Sequence, residues 1–247
     1  VVEYARRILR LVDEAEAAVG DLLGLRRGRL VLGASTTPGT YLLPQLMGAF
    51  RDRHPDAELH LRIGDTREVE RWVLKGELDF GVIGETREQL GLSVTPLTRD
   101  ELVLVTPRKH PLSRGPLDGE RLAGQPLIVR EEGSSTRETL ERALASRALA
   151  LRVLFELGST EAILSAVEAG LGASVVSSLA VADRRPPRVV VRRVTGLDLT
   201  RHLAVVVHPD ARPSPLAREF LDFLSRSVSR ARVASLGGNL AAAWAQP

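Results

Sequence analysis

A chain of 247 residues buries a substantial core and suits one large domain or two smaller lobes, so a marginal mini-protein is excluded. It has no Cys, which removes disulfide and thiolate chemistry, and its longest apolar runs are strand-sized, which predicts a soluble, cytoplasmic protein with no membrane partner. The formal charge of +3 is small, and the basic side is almost all Arg, with only Lys75 and Lys109 as lysines; that balance does not by itself predict nucleic-acid binding.

The chain opens on a helical pattern over 1–27. Val1, Ala5, Ile8, Val12, Ala15, Val19 and Leu22 alternate spacings of four and three, the seam of a coiled coil and so of a dimerisation helix. Arg6, Arg7 and Arg10 are segregated from Asp13, Glu14 and Glu16, which favours an antiparallel or staggered partner. A helix folded back on its own domain is the other reading.

After Arg26-Arg27-Gly28, strand-type and helix-type runs alternate: RLVLGA, helix 38–53, AELHLRI, helix 66–75, LDFGVIG, ELVLVTP, PLIVR, helix 135–147, RVLFEL, helix 160–169, ASVVSS, VVVRRV, HLAVVVH and helix 213–229. This alternation predicts α/β layers with mostly parallel sheets. Gly170-Leu171-Gly172 ends a helix instead of opening one, so it reads as a C-cap and not as a dinucleotide fingerprint. ELVLVTP and HLAVVVHP each end in Pro and read as a two-stranded hinge, giving one lobe from 28–108 plus 202–233 and another from 109–201. A flexible tail is expected over 234–247.

No catalytic signature is present: there is no Gly-x-Ser-x-Gly elbow, P-loop or His-Glu-x-x-His. The five His, at 54, 60, 110, 202 and 208, are scattered; His54 and His110 precede Pro, and structural roles are expected over metal ligation. Asp79 reads as a cap or turn residue. What the sequence does carry is hydroxyls at three strand-to-helix corners: Ser35, Thr36 and Thr37 before Pro38; Ser134, Ser135, Thr136 and Arg137 after PLIVR; and Ser159 and Thr160 after RVLFEL. Such corners lie at the carboxyl ends of strands, where backbone N–H groups, hydroxyls and the helix dipole make an anion site. Unactivated hydroxyls donate hydrogen bonds well and attack poorly, so this is recognition chemistry and not an enzyme's. Any one corner is also an ordinary helix cap. Arg137 reads equally as a ligand clamp or as a helix pair with Glu138 and Glu141. The Arg cluster at 184, 185, 188, 192 and 193 is expected to face water.

GRLVLGASTTPGTYLLPQLMGAFRDRHPDAEL, GELDFGVIG, DELVLVTPRKHPL, REEGSSTRETLE and ELGSTEAILSAVEAGLGASVVS, in this order, resemble the LysR-type bacterial transcriptional regulators, specifically their linker helix and effector-binding domain. The resemblance implies two Rossmann-like α/β lobes of periplasmic-binding-protein type II after a long linker helix, with a small-molecule effector in the cleft between them and no other cofactor. It places effector contacts on Ser35, Thr36 and Thr37, on Ser134, Ser135, Thr136 and Arg137, and on Ser159 and Thr160. It further implies a homodimer or homotetramer, RNA polymerase as a partner, and promoter DNA bound through an N-terminal winged helix-turn-helix of about 60 residues. That module is not visible, so a truncated regulator beginning inside the linker helix is expected. The subgroup it looks most like includes sulfur-assimilation and carbon-fixation regulators, whose effectors are often small anions. Ser135 stands where many relatives have Gly, narrowing the pocket, and VADRRPPRVVV is shorter than usual. The rivals are a stand-alone solute-binding protein of a transporter and an enzyme on a related two-lobe fold.

Overall fold

The computed structural model describes residues 12, 28–84, 91–182 and 189–235, with side chains to Ser229. The expected dimerisation seam lies outside these residues except for Val12, which is exposed. Arg184, Arg185, Arg188 and residues 236–247 of the expected tail also lie outside them.

In chain order the elements are β1 (Arg29–Ser35), α1 (Thr36–Tyr41), α2 (Leu43–Arg51), β2 (Glu58–Gly64), α3 (Thr66–Leu74), β3 (Phe80–Gly84), β4 (Ser93–Pro107), a 3-10 turn (Pro111–Ser113), α4 (Gly119–Ala123), β5 (Leu127–Arg130), α5 (Ser135–Ala145), β6 (Val153–Leu157), α6 (Thr160–Glu168), β7 (Ala173–Ser177), a second 3-10 turn (Ser178–Ala180), β8 (Val189–Arg192), β9 (Thr200–Val207) and α7 (Pro215–Ser235). The helix expected over 38–53 starts earlier and breaks at Leu42. Pro44 causes the break, because it has no N–H to donate and its ring collides with the carbonyl four residues back. Gly170, at φ 85°, ends α6, with Gly170 N–H on Val167 O and Leu171 N–H on Ala166 O. That is a helix C-cap.

The chain forms two compact units, 1–98 with 203–247 and 99–202. The chain leaves the first unit inside β4, between Thr98 and Arg99, and not at 108 as expected. The reason is packing: Leu102 and Leu104 belong to the core of the second unit, with Leu127, Val129, Leu140, Leu144 and Val175. The chain returns to the first unit inside β9.

The first unit is ordered β2-β1-β3-β9, with β1 parallel to both neighbours and β9 antiparallel to β3. The second runs β6-β5-β7-β4, with β5 parallel to both neighbours and β4 antiparallel to β7; β8 also pairs β4 antiparallel. The sheets are therefore mixed. Each unit repeats one plan, a right-sized βαβαβ run whose first strand ends up central, closed by an antiparallel strand. The strands buried on both faces read as largely apolar runs, FGVIG in β3, LIV in β5 and, interrupted by the buried Ser174, ASVV in β7. In the first unit Phe50, Phe80, Phe220 and Phe223 pack ring against ring, and Ala217, Phe220 and Leu224 on one stripe of α7 are buried.

A salt bridge lies inside the second unit. Arg201 of β9, 1% exposed, places Nε at 2.9 Å and Nη2 at 2.8 Å from Asp100 Oδ2. Asp100 Oδ1 accepts from Ser177 Oγ at 2.6 Å, at the end of β7. Two charges removed from water are tolerated only when both are fully matched, and stranding one of them is strongly destabilising. Asp100→Ala is expected to lower the unfolding free energy by about 3–5 kcal/mol. The double change Asp100→Leu with Arg201→Met should recover most of it, read from urea unfolding midpoints of the two variants.

Candidate functional site

In a 2-1-3 strand order, the carboxyl end of the first, central strand is the switch point where successive connections leave in opposite directions, and ligands of open α/β sheets bind there. β1 and β5 are those central strands, and they lead into the first two hydroxyl corners. The third corner follows β6, an edge strand.

The capping of the helices separates the corners. A helix start has N–H groups without intrahelical partners, which side chains ordinarily satisfy. Asp65 caps α3 in a reciprocal box with Glu68, Asp118 caps α4, and Ser214 Oγ accepts from Ala217 N–H at the start of α7. Ser159 does the same for α6, accepting from Ala162 N–H at 3.1 Å. α2 has Pro44 in its first turn and α1 has Pro38. α5 has neither a proline nor a side-chain cap, although Ser134, Ser135 and Thr136 are all buried.

The α5 hydroxyls are instead drawn to a cation. Arg201 Nη1 donates to Ser135 Oγ at 2.7 Å and to Thr136 Oγ1 at 3.0 Å. A hydroxyl that accepts from a guanidinium keeps its own proton for donation, and is polarised to donate it. The start of α6 repeats the arrangement: Arg130 Nη1 donates to the buried Thr160 Oγ1 at 3.0 Å, while Arg130 Nε and Nη2 meet the Glu131 carboxylate. A cation beside a positive helix end is opposed by the dipole, so each Arg brings its own carboxylate, Asp100 or Glu131.

In the first unit Ser35, at the N-cap position of α1, makes no capping bond; its Oγ accepts from Gly84 N–H at 3.2 Å. Thr36 Oγ1 donates to Gly64 O at 3.5 Å, and Thr37 is buried. Arg137 is held by carboxylates, with Nε on Glu141 at 2.8 Å and Nη1 on Glu156 at 2.7 Å. The Glu141 hydrogen bond raises its pKa above the ordinary guanidinium value. The helix pair expected for Arg137 thus forms with Glu141, and Glu156 joins it.

Other sequence-level expectations resolve locally. His54 stacks on Phe50 and pairs with Glu219, and His110 Nδ1 accepts from Leu112 N–H. Asp79 Oδ2 accepts from Val31 N–H at 2.7 Å. Two members of the Arg cluster do not simply face water: Arg193 pairs with Glu101, and Arg192 donates to the carbonyls of Leu112 and Gly115. Sequence reasoning missed Arg130, Glu131, Arg201, Asp100 and Ser177. The available signal was an Arg ending the apolar run LIVR, and another just before LAVVV, where a charge cannot reach water without a partner.

Two α/β units, each with a switch-point corner rich in hydroxyl groups and joined by two crossings of the chain, define a bilobal binding domain of periplasmic-binding-protein type II. Residues 23–229 match the family described as LysR substrate binding domain. The chain is 33% identical to a probable RuBisCO transcriptional regulator of Porphyra purpurea, over 97% of this chain and 78% of the relative. It is 33% identical to the HTH-type transcriptional activator CmpR of Synechocystis, over 91% of this chain and 74% of the relative. The CcmR regulatory domain of Synechocystis, solved in complex with 2-PG, matches with a TM-score of 0.75 and 28% identity, covering 82% of this chain and 98% of that one. The chain belongs to the LysR substrate-binding domain family and is the effector-binding domain of a LysR-type transcriptional regulator. Membership decides for the regulator over the transporter receptor, and the family is one of transcriptional regulators and not of enzymes. Among the described residues no helix is long and apolar enough to cross a membrane.

The capping contrast is measurable. Ser159→Ala should cost about 1 kcal/mol of stability, the ordinary value of a lost cap. Ser134→Ala, which removes no capping bond, should stay within about 0.5 kcal/mol of the parent. Urea titrations of both variants read the difference.

Proposed function

We propose that this domain senses a small phosphate- or carboxylate-bearing metabolite at the start of α5, and that the bound anion alters transcription through a DNA-binding module of the same regulator. The observation that carries the reading is the buried, uncapped start of α5, whose hydroxyls are polarised by Arg201. An anion there receives first-turn N–H groups and hydroxyl protons together. Each such bond to a charged group contributes about 1.5 to 3 kcal/mol and the helix dipole about 0.3 to 1. Three or four contacts give micromolar binding after the costs of association. The first unit's own hydroxyl corner is Ser35, Thr36 and Thr37. Ser134, Ser135 and Thr136 act in the second unit with Thr160, while Ser159 and Arg137 serve the fold.

The relative CcmR, at 28% identity, was solved with 2-PG, so 2-phosphoglycolate is the first effector to test on this chain. The Porphyra purpurea relative is a probable RuBisCO transcriptional regulator, which supports a role in carbon-fixation control. Within that role the protein works in the cytoplasm as a dimer or tetramer assembled through the seam from Val1 to Leu22, with promoter DNA and RNA polymerase as partners. Effector and DNA are linked by a coupling of about 1–3 kcal/mol, the usual size of such linkage.

Calorimetric titration with 2-phosphoglycolate, inorganic phosphate and sulfate tests the site. One-site binding is expected, weakened roughly tenfold or more by Ser135→Ala, the loss of one charge-assisted bond, and unchanged by Ser159→Ala. Equal effects of the two substitutions would remove the α5 start from the site.

A further inference from the structure

Arg130 ends β5 with 3% of its side chain exposed, whereas its partner Glu131 is 25% exposed. The guanidinium is fully engaged: Nε reaches Glu131 Oε2 at 2.7 Å, Nη2 reaches Oε1 at 2.5 Å and Nη1 reaches Thr160 Oγ1 at 3.0 Å. Two parallel N–H groups on two oxygens is the geometry in which an Arg receives a carboxylate or a phosphate. Here the oxygens come from the next residue in the chain. Glu131 opens a turn closed by Ser134 N–H on Glu131 O at 3.3 Å, with Gly133 at φ 86°. The carboxylate is therefore carried by the turn that leads into α5 and not by the packed strand. Arg137, which also donates to the Arg130 carbonyl, is committed to Glu141 and Glu156. Glu132, beside it on the turn, is exposed.

We propose that Glu131 is a tethered competitor occupying the Arg130 fork until an effector displaces it, and that the pair sets a threshold which a phosphate-bearing dianion passes and a monocarboxylate does not. This rests on the anion-sensing reading of the second unit. A tethered group competes at an effective concentration in the millimolar range. A free monocarboxylate offers the fork the same single charge and the same two oxygens, so exchange gains it little. A phosphate near pH 7 brings close to two charges and three acceptor oxygens. Two oxygens fill the fork, and the third accepts the Thr160 hydroxyl proton, which the Arg130 contact leaves available. On leaving, the part-exposed Glu131 carboxylate regains water, and the incoming phosphate keeps the buried Arg130 guanidinium paired.

The test is calorimetric titration of the parent chain, Glu131→Gln and Glu132→Gln with 2-phosphoglycolate, inorganic phosphate and glycolate. The parent is expected to bind both phosphates and to show no glycolate binding at millimolar concentration. Glu131→Gln should bind the phosphates about tenfold tighter, the size of one charge-assisted bond no longer competing, and should bind glycolate measurably. Glu132→Gln, which removes the neighbouring exposed charge, should stay within about twofold of the parent. Thermal melting checks the fold of each variant, and Glu131→Ser must show the same gain. An affinity that fails to rise in both Glu131 variants, or an equal rise in Glu132→Gln, overturns the competitor while leaving the α5 site intact if Ser135→Ala still weakens binding. Absence of binding by all three anions to parent and variants alike overturns the anion-sensing reading together with this one.

Discussion

A guanidinium sealed from water has to be matched donor by donor, and in the second unit Asp100, Ser135 and Thr136 all receive Arg201. Asp100 comes from β4, Ser135 and Thr136 come from the first turn of α5, and Ser177 braces the far oxygen of Asp100 from the end of β7. Moving any of these groups leaves a charge or a hydroxyl unpaired in an apolar interior, which costs several kcal/mol. The pair therefore holds the start of α5 in place relative to the sheet beneath it. It also explains why that helix start is not capped in the ordinary way, since its hydroxyls are already turned toward a cation.

The same economy appears at α6 with a different outcome. Arg130 sits beneath its first turn as Arg201 sits beneath that of α5, but Ser159 caps α6 and Glu131 supplies the carboxylate from a part-exposed turn. One carboxylate is locked into strands and the other is carried by a turn. The locked pair shapes the site, and the pair on the turn is the one that exchanges. Two helix ends facing the same strand ends of a parallel β5–β6 pair add their positive potential without adding any net charge to the unit.

At the starts of α5 and α6 the hydroxyls of Ser135, Thr136 and Thr160 accept from guanidinium N–H groups, which leaves them as donors for recognition. Membership in the LysR substrate-binding domain family fits this balance, because a sensor has to bind and release its effector unchanged. The repetition of one 2-1-3 plan in the two units gives each of them a switch-point corner, and these are the two corners in which the hydroxyl at the N-cap position is not used as a cap.

By itself the sequence determined the order of strands and helices, because apolar runs and helical stripes are local patterns, and it placed Ser35 to Thr37, Ser134 to Thr136 and Ser159 to Thr160 at helix starts. It also carried the family, through several ordered motifs along most of the chain. It did not determine which hydroxyls cap and which do not: Ser134 and Ser159 look alike as residues before a helix, and only the folded chain shows that Ser159 reaches a backbone N–H and Ser134 does not. Nor did it reveal that β4 crosses into the second unit at Arg99, which depends on where Leu102 and Leu104 find their neighbours. Arg201 and Asp100 stand a hundred residues apart, and Arg130 and Thr160 thirty. Local pattern cannot pair such groups; tertiary structure does, because a buried charge must find its counter-charge wherever the chain has placed it.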